Sequence, residues 1–255
     1  MHKRAPSRYL RQTPPLFRLM RRFLSIFTLI FFTPFLFVFV VVVIFFVFAL
    51  QVLGRRVRVE AAHICYRWWS RLVVAATLSR VRVHGRENIP TGQRYTIYAN
   101  HSSFIDIPVL SGYLVPDAAY AARKSLIYSP IGFWVLAGDG VLIERKASRK
   151  ELKKVLEIVD KIKSGRPFII FPEGTRTHTD RLGKLKPGSI KIAQKARAQI
   201  VPVRIKGTLE ILPRGAFWPK PGEIELSVGK PISPEKIDEN QEEVLKRLEN
   251  YLSVG

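Results

Sequence analysis

The sequence predicts an α/β domain whose central, mostly parallel or mixed sheet is flanked by helices and preceded by a membrane-embedded helical segment. From residue 81 onward, short apolar runs alternate with stretches of helical period. The first 80 residues instead contain a long uncharged apolar run. Two polar motifs also directly follow predicted strands. We therefore expect residues 1–80 to form a basic N-terminus with membrane-embedded or interfacial helices, and residues 81–255 to form the α/β domain.

Composition favours anionic partners. The 255 residues include 42 Lys and Arg against 20 Asp and Glu, a formal charge of +22. Such a charge attracts nucleic acid, an acidic membrane leaflet or phosphorylated small molecules. The basic residues are dispersed and form no recognised nucleic-acid module, so we expect no nucleic-acid partner. The single cysteine, Cys65, excludes an intramolecular disulfide and the common cysteine-based zinc sites.

The apolar run extends from Phe23 to Leu50, 28 residues without a charge. As one helix it would be about 42 Å long, against a hydrocarbon core of about 30 Å. The apolar region of a signal peptide usually has only about 7–15 residues. A buried core helix would show a polar face, and this run has none. The run therefore predicts membrane embedding.

The flanks of the run leave two topologies open. Residues 1–60 contain ten basic residues and one acidic residue, Glu60. Cationic flanks tend to stay cytoplasmic, and both flanks are cationic here. Because proline breaks a helix, Thr33-Pro34 could turn the run into a hairpin that enters one leaflet and returns. A tilted span is the alternative. In either case we expect an inner-membrane protein whose folded domain faces the cytoplasm.

Elements of the soluble part follow from periodicity and turn residues. The predicted strands are residues 81–85, 95–100, 167–174, 199–205 and 223–232, and the predicted helices are residues 55–80, 148–165, 189–198 and 233–254. The motif "NHSSFID" (100–106) follows the second strand, and "PEGTR" (172–176) follows the third. Ligands of such folds tend to lie in loops at strand ends. Both motifs are therefore candidate site residues.

The first motif places His101 five residues before Asp106. In a catalytic pair, the aspartate fixes the imidazole tautomer and stabilises the imidazolium that forms when the histidine takes a proton. This spacing suits a turn that leads from a strand into a helix, with Ser102 or Ser103 as a possible N-cap. The alternative is structural, with a Ser or Asp cap and a histidine that bonds only to backbone.

No enzyme nucleophile accompanies this histidine in the sequence. There is no G-x-S-x-G motif, and Cys65 has no convincing partner. If His101 is a base, it would deprotonate a hydroxyl of the substrate itself.

The second motif, "FPEGTR" (171–176), forms a tight turn that presents Glu173 and Arg176. An arginine beside backbone N–H groups suits a phosphate, whereas a Glu–Arg pair that locks the turn is the structural alternative. Lys124 and Arg145 flank the stretch "KSLIYSPIGFWVLAGDGVLIER" (124–145) and could enter the same crevice or remain solvated. His178 is a second histidine near the turn, interpreted as a solvated bystander.

Together these stretches resemble the 1-acylglycerol-3-phosphate acyltransferase family of glycerolipid acyltransferases. The resemblance covers roughly residues 80–232. It rests on "GRENIP" at 85–90, "NHSSFID", the "GVLIER" stretch ending at Arg145, "FPEGTR", and "IVPVRI" at 200–205. A hydrophobic N-terminal segment before the first motif is also usual in that family.

The resemblance implies a fold, a reaction and roles for residues. His101 would be the general base on the free hydroxyl of lysophosphatidic acid, oriented by Asp106, and the acyl donor would be a thioester of coenzyme A or acyl carrier protein. The product would be phosphatidic acid, with no metal or redox cofactor. The acceptor's phosphate and glycerol site would include Lys124, Arg145, Glu173, Gly174, Thr175 and Arg176. Pro202 would support the acyl-binding region, and anionic membrane lipids would surround the enzyme.

Two kinds of alternative remain at the level of sequence. The acceptor could be another lysophospholipid, a lyso-aminolipid or glycerol 3-phosphate. The chain could instead be a membrane-tethered protein that binds anionic ligands without catalysis. Only the second kind would be indifferent to the loss of the His101 imidazole.

Overall fold

The computed structural model describes residues 33–144, 148–179, 181–216 and 218–253. Contacts divide the chain into two compact units, residues 1–46 and residues 47–255. The predicted division at residue 80 stays a prediction.

The described part of the second unit contains a seven-stranded sheet with the order β1-β7-β6-β2-β5-β3-β4. Its strands are β1 (Arg80–His84), β2 (Tyr95–Ala99), β3 (Ala119–Arg123), β4 (Val141–Ile143), β5 (Phe168–Ile170), β6 (Gln199–Lys206) and β7 (Glu223–Val228). Neighbouring strands are parallel except β6 and β7, which are antiparallel. The α/β class with a mixed sheet is thus confirmed. Strands β2 to β6 all end at one edge of the sheet.

Helices cover both faces of this sheet. They are α2 (Arg55–Ala76), α3 (Asp106–Tyr113), α4 (Pro130–Ala137), α5 (Arg149–Lys163), α6 (Pro187–Ala196), α7 (Thr208–Ile211), α8 (Pro234–Glu239) and α9 (Gln241–Ser253). The predicted terminal helix is interrupted at Asn240, which has extended backbone angles. Its side-chain oxygen accepts a hydrogen bond from the Glu243 amide at 3.1 Å, so it starts α9 as a cap.

Two apolar clusters fill the space between sheet and helices, because successive strand side chains point to opposite faces. On β2, Tyr98 belongs to the cluster with α5, α6 and α9. Its neighbour Ile97 belongs to the cluster with α3 and the end of α2. Both side chains are fully buried. β2 is therefore covered on both faces, which fixes the position of the loop that follows it.

Side chains of α2 form hydrogen bonds and ion pairs with other residues of the second unit. Arg71 donates to the Gly112 carbonyl of α3 at 2.9 Å. Arg55 pairs with Asp139 at 2.6 Å, and Lys161 of α5 pairs with the same carboxylate at 3.1 Å. Burial alone would raise the pKa of Asp139, but these two cations outweigh it and hold the pKa below its ordinary value. The helix thus belongs to the packed part of the second unit.

The described part of the predicted membrane run is a helix, α1 (Thr33–Ala49), followed by a 3₁₀ turn, Leu50–Leu53. Residues 23–32 of the run, and the cationic segment before them, lie outside the described residues. Within the described ranges, no helix is both long enough and apolar enough to cross a bilayer. Pro34, at the proposed break, lies in α1, whose first described residue is Thr33. The proposed break therefore stays a prediction.

Candidate active site

The His101–Asp106 pair is formed. His101 lies in the loop between β2 and α3, and Asp106 is the first residue of α3. The His101 Nδ1 atom is 2.8 Å from Asp106 Oδ2. A carboxylate can only accept, so Nδ1 donates its proton to Asp106 and the lone pair lies on Nε2. The imidazole is 13% exposed and the carboxylate is completely buried. The imidazole is thus partly accessible from the surface, while its carboxylate partner is shielded from water.

Asp106 also organises the loop that contains His101. Its Oδ2 accepts hydrogen bonds from the backbone amides of Ser102 and Ser103, at 2.8 and 2.9 Å. Its Oδ1 accepts one from the Thr208 hydroxyl at 2.5 Å. The expected serine cap is wrong, because Ile105 precedes the helix and provides no side-chain cap bond. The carboxylate at the start of the helix takes the amides that a serine cap would have left unpaired.

Asn100 ties this loop to the neighbouring strand. Its amide nitrogen donates to the Ile205 carbonyl at 2.9 Å, and its amide oxygen accepts from the Ile205 backbone at 2.7 Å. The side chain therefore continues the ladder between β2 and β6 after the backbone of β2 has turned away. This is a structural role for the first residue of the motif, and sequence analysis did not assign it.

Phe171 packs against the imidazole of His101. The rings of His101 and Phe171 stack with centroids 4.0 Å apart and an interplanar angle of 18°. Phe171 directly follows β5, the strand next to β2 in the sheet. The stack limits rotation of the imidazole about its side-chain bonds. Phe171 is the first residue of the motif "FPEGTR", but the sequence could not predict its contact with His101.

Glu173 links the two loops through backbone amides. One carboxylate oxygen accepts from the His101 amide and the other from the Gly183 amide, each at 2.7 Å. The side chain is buried, and this burial raises the pKa of Glu173 although both amide bonds oppose the shift. A Glu–Arg pair, the structural alternative for this motif, is therefore not the arrangement that holds this turn in place.

Arg176 lies over a different aromatic ring. Its guanidinium carbon is 3.4 Å from the centroid of Phe104. Its Nη1 atom is buried and has no hydrogen-bond partner in the part of the chain that the structure describes. Burial lowers the pKa of Arg176; the charge of Asp106 opposes this, and Arg123 and Arg214 lower it further. These two cations therefore lie close enough to Arg176 to affect its pKa. Arg123 is the last residue of β3, and Arg214 follows the end of α7.

The other predicted residues of this turn are at its surface. Gly174 has φ of 70°, a left-handed backbone conformation that strains residues with a side chain and so favours glycine. Thr175 is exposed. His178 also has a positive φ, 58°. Burial, together with the charges of Arg176, Arg214 and His101, lowers the pKa of His178.

Lys124 and Arg145 are not joined to the dyad by any described contact. Lys124 follows β3, and its ammonium is 2.5 Å from the carboxylate of Glu144, which follows β4. Both therefore lie at the same edge of the sheet as His101. Arg145 lies outside the described residues.

Pro202 and the cavities lie apart from the dyad. Pro202 is in the middle of β6, opposite Tyr98. It lines a cavity of about 320 Å³ together with Ile232 and Tyr251. A larger cavity of about 700 Å³ lies along β1, β7 and the start of α7. Neither is lined by His101 or Arg176, so neither marks the place of the chemistry.

The His101–Asp106 pair lies at the carboxyl edge of the sheet of an α/β fold, and comparison with known proteins gives the family. Residues 80–206 match the family model described as acyltransferase. The chain belongs to this acyltransferase family, as the resemblance to the 1-acylglycerol-3-phosphate acyltransferases had indicated.

Curated relatives have the same name in distant organisms. The chain is 30% identical over 178 residues to a 1-acyl-sn-glycerol-3-phosphate acyltransferase of Chlamydomonas reinhardtii, covering 69% of this chain and 53% of that one. It is 34% identical to the enzyme of that name from Saccharomyces cerevisiae, covering 63% and 54%. The Pseudomonas aeruginosa enzyme is 30% identical, covering 66% and 64%. The chain thus spans about half the length of the algal and yeast relatives.

A solved structure has the same fold over nearly its whole length. The 1-acyl-sn-glycerophosphate acyltransferase PlsC of Thermotoga maritima superposes with a TM-score of 0.75 at 26% identity. The match covers 92% of this chain and 94% of that protein. The α/β architecture is therefore shared between the two.

We expect Glu173→Gln to lower the thermal unfolding midpoint. The NH₂ group of glutamine would face one of the two backbone N–H groups that now donate to the carboxylate, and that N–H group would lose its acceptor. Leaving a buried donor without an acceptor costs about 1–3 kcal/mol. Differential scanning calorimetry measures the shift. The control is Glu243→Gln in the exposed first turn of α9, which leaves the midpoint unchanged. Equal midpoints for both variants would contradict the role given to Glu173.

Proposed function

We propose that this protein transfers a fatty acyl group from an acyl thioester to the free hydroxyl of lysophosphatidic acid, giving phosphatidic acid. The observation behind this proposal is the dyad, in which a buried carboxylate accepts the Nδ1 proton of His101 and so leaves the lone pair on Nε2. The named activity of the relatives and of the structural neighbour agrees with it. The donor would be acyl coenzyme A or acyl carrier protein.

His101 acts as general base in this mechanism. Nε2 takes the proton of the acceptor hydroxyl while the hydroxyl oxygen attacks the thioester carbonyl carbon. The tetrahedral intermediate collapses, the carbon–sulfur bond breaks, and the imidazolium returns the proton to the leaving thiolate. Asp106 stabilises the imidazolium throughout, since its other partners hold it in place. The thioester is already activated, so the reaction needs no metal or redox cofactor.

Arg176 binds the phosphate of the acceptor. Its planar guanidinium rests on Phe104, and its Nη1, which has no hydrogen-bond partner among the described residues, would donate to a phosphate oxygen. Arg123 and Arg214 add positive charge nearby, and Lys124 lies at the same edge after β3. The role of Arg145 in the acceptor site stays a prediction from the sequence, because Arg145 lies outside the described residues. Gly174 and Thr175 shape the turn that presents Arg176. Glu173 positions this turn against His101 through backbone amides. Pro202 keeps its proposed role as a support of the acyl-binding region.

The N-terminal part places the enzyme at the membrane. The described part of α1 has exposed apolar side chains, including Phe45 and Phe46. On α2, the exposed residues Ile64, Trp68 and Leu72 follow one another at four-residue spacing and so share a face. Aromatic and basic residues of this kind are typical of a membrane interface. We assign this face to an anionic leaflet, with the catalytic site on the cytoplasmic side.

The test of the reaction is thiol release from acyl coenzyme A, measured with and without lysophosphatidic acid in detergent. Wild-type protein should release thiol only with the acceptor and should form phosphatidic acid. His101→Ala should lose about 10²–10⁴-fold in turnover, the usual contribution of a general base. His178→Ala is the matched control and should remain active. Release without acceptor would indicate a thioesterase, and undiminished transfer by His101→Ala would refute the mechanism.

Arg176→Lys should raise the KM for lysophosphatidic acid about tenfold, because lysine keeps the charge but cannot stack or bind bidentately. The KM for the acyl donor should stay the same. Arg181→Lys, an exposed change in the same loop, serves as the control. An increase in the donor KM alone would instead place Arg176 at the thioester. Lysolipids without a phosphate monoester, and glycerol 3-phosphate, provide the test of acceptor class.

Membrane contact is measured by quenching of tryptophan fluorescence with brominated lipid in anionic vesicles. Wild-type protein should be quenched, and Trp68→Phe should remove part of the quenched signal because that indole faces the lipid. Trp134→Phe should not, since Trp134 packs against Tyr66 with ring centroids 5.2 Å apart. Equal quenching in wild type and Trp68→Phe would exclude this face of α2 as the contact.

A further inference from the structure

One contact of Asp106 comes from outside all the motifs discussed so far. The Thr208 hydroxyl donates to Asp106 Oδ1 at 2.5 Å, and both side chains are buried, at 1% and 0% exposure. Carboxylates accept only, so the direction of this bond is fixed. The Ser102 hydroxyl lies 3.5 Å from Thr208 Oγ1 and must be the donor in that contact. Thr208 is therefore held from one side while it holds Asp106 from the other.

The backbone before Thr208 is built for this contact. Gly207 follows β6 with φ of 85°, and a Cβ there would overlap the Glu223 carbonyl oxygen, so a side chain is excluded. This turn brings Thr208 back over the end of the sheet, where α7 begins. At the other end of α7, the Leu212 carbonyl accepts a hydrogen bond from the Ser103 hydroxyl at 3.3 Å. Hydrogen bonds at both ends of α7 thus hold this short helix against the loop that contains His101.

We propose that Thr208 is a positioning residue for the proposed acyl transfer, since its hydroxyl fixes Asp106 in the orientation that presents Nε2 of His101 to the acceptor. Asp106 has two oxygens and receives four donors, from His101, the amides of Ser102 and Ser103, and Thr208. Three of the four converge on Oδ2. Among the described residues, Thr208 provides the hydrogen bond that Oδ1 accepts. It therefore sets the rotation of the carboxyl plane.

This role has a consequence for the proton transfer. With Oδ1 unbonded, the negative charge of Asp106 would be less dispersed and would hold an imidazolium more tightly. A more tightly held imidazolium gives up its proton to the thiolate less readily, and the neutral base becomes available only at higher pH. The loss should therefore affect the chemical step and its pH dependence, with little effect on binding of either substrate.

The experiment compares Thr208→Val, Thr208→Ser and wild type in the thiol-release assay. Valine has nearly the same shape without the hydroxyl, and we expect kcat to fall about 10- to 100-fold while both KM values change little. The acid limb of the kcat/KM profile should move to higher pH. Serine restores the donor and should restore most of the rate. Thr96→Val is the matched control, because Thr96 is a buried threonine on β2 whose hydroxyl bonds the Gln199 carbonyl instead.

One further readout separates this inference from the proposed function. The downfield proton resonance of the His101 Nδ1–H···Asp106 bond, assigned by its loss in His101→Ala, needs no substrate. It should shift in Thr208→Val and not in Thr96→Val. If wild type transfers no acyl group but this shift occurs, the reaction is wrong and the positioning role stands. If Thr208→Val does not fold, Thr208→Ala replaces it. Unchanged kcat, pH profile and resonance would overturn the proposal.

Discussion

The buried carboxylate of Asp106 is the constraint on which the site depends. A fully buried charge is tolerated only when it is completely hydrogen-bonded, so each of its partners has to be in place. Two of those partners are backbone amides, which fixes the path of the loop after β2. A third is the imidazole of His101, which is thereby given its tautomer. The fourth comes from α7. The Asp106 carboxylate therefore fixes the path of the loop after β2, the tautomer of His101 and the contact with α7.

The arrangement of the sheet places the cations around this pair. Strands β2 to β6 share one direction, so the residues after each strand gather at one edge. Lys124 and Arg176 reach this edge from different loops, and Arg123 and Arg214 lie nearby. Because β7 runs antiparallel to β6, the connection between these two strands lies at the same edge as His101 and brings Thr208 and Arg214 to it. Substrate charge and reacting hydroxyl can therefore be bound by separate loops of one rigid frame.

Sequence patterns were sufficient where the signal is local. The alternation of apolar runs predicted the α/β class, and the five-residue spacing predicted the pairing of His101 with Asp106. The roles of Asn100, Phe171 and Thr208 were missed, because each depends on a partner in another strand or loop. The serine cap was wrong for a similar reason. Local propensity favours serine at a helix start, but Asp106, the first residue of α3, accepts hydrogen bonds from the backbone amides of Ser102 and Ser103 instead.

The bond from Thr208 to Asp106 joins residues 102 positions apart, and the bridge from Asn100 to Ile205 joins residues 105 apart. Contacts so distant along the chain form late in folding, because they require closure of long loops. During synthesis the proposed membrane segment emerges before Thr208 does. The contact that orients His101 cannot form until Thr208 has also emerged, so the apolar segment is exposed before the proposed base is in place.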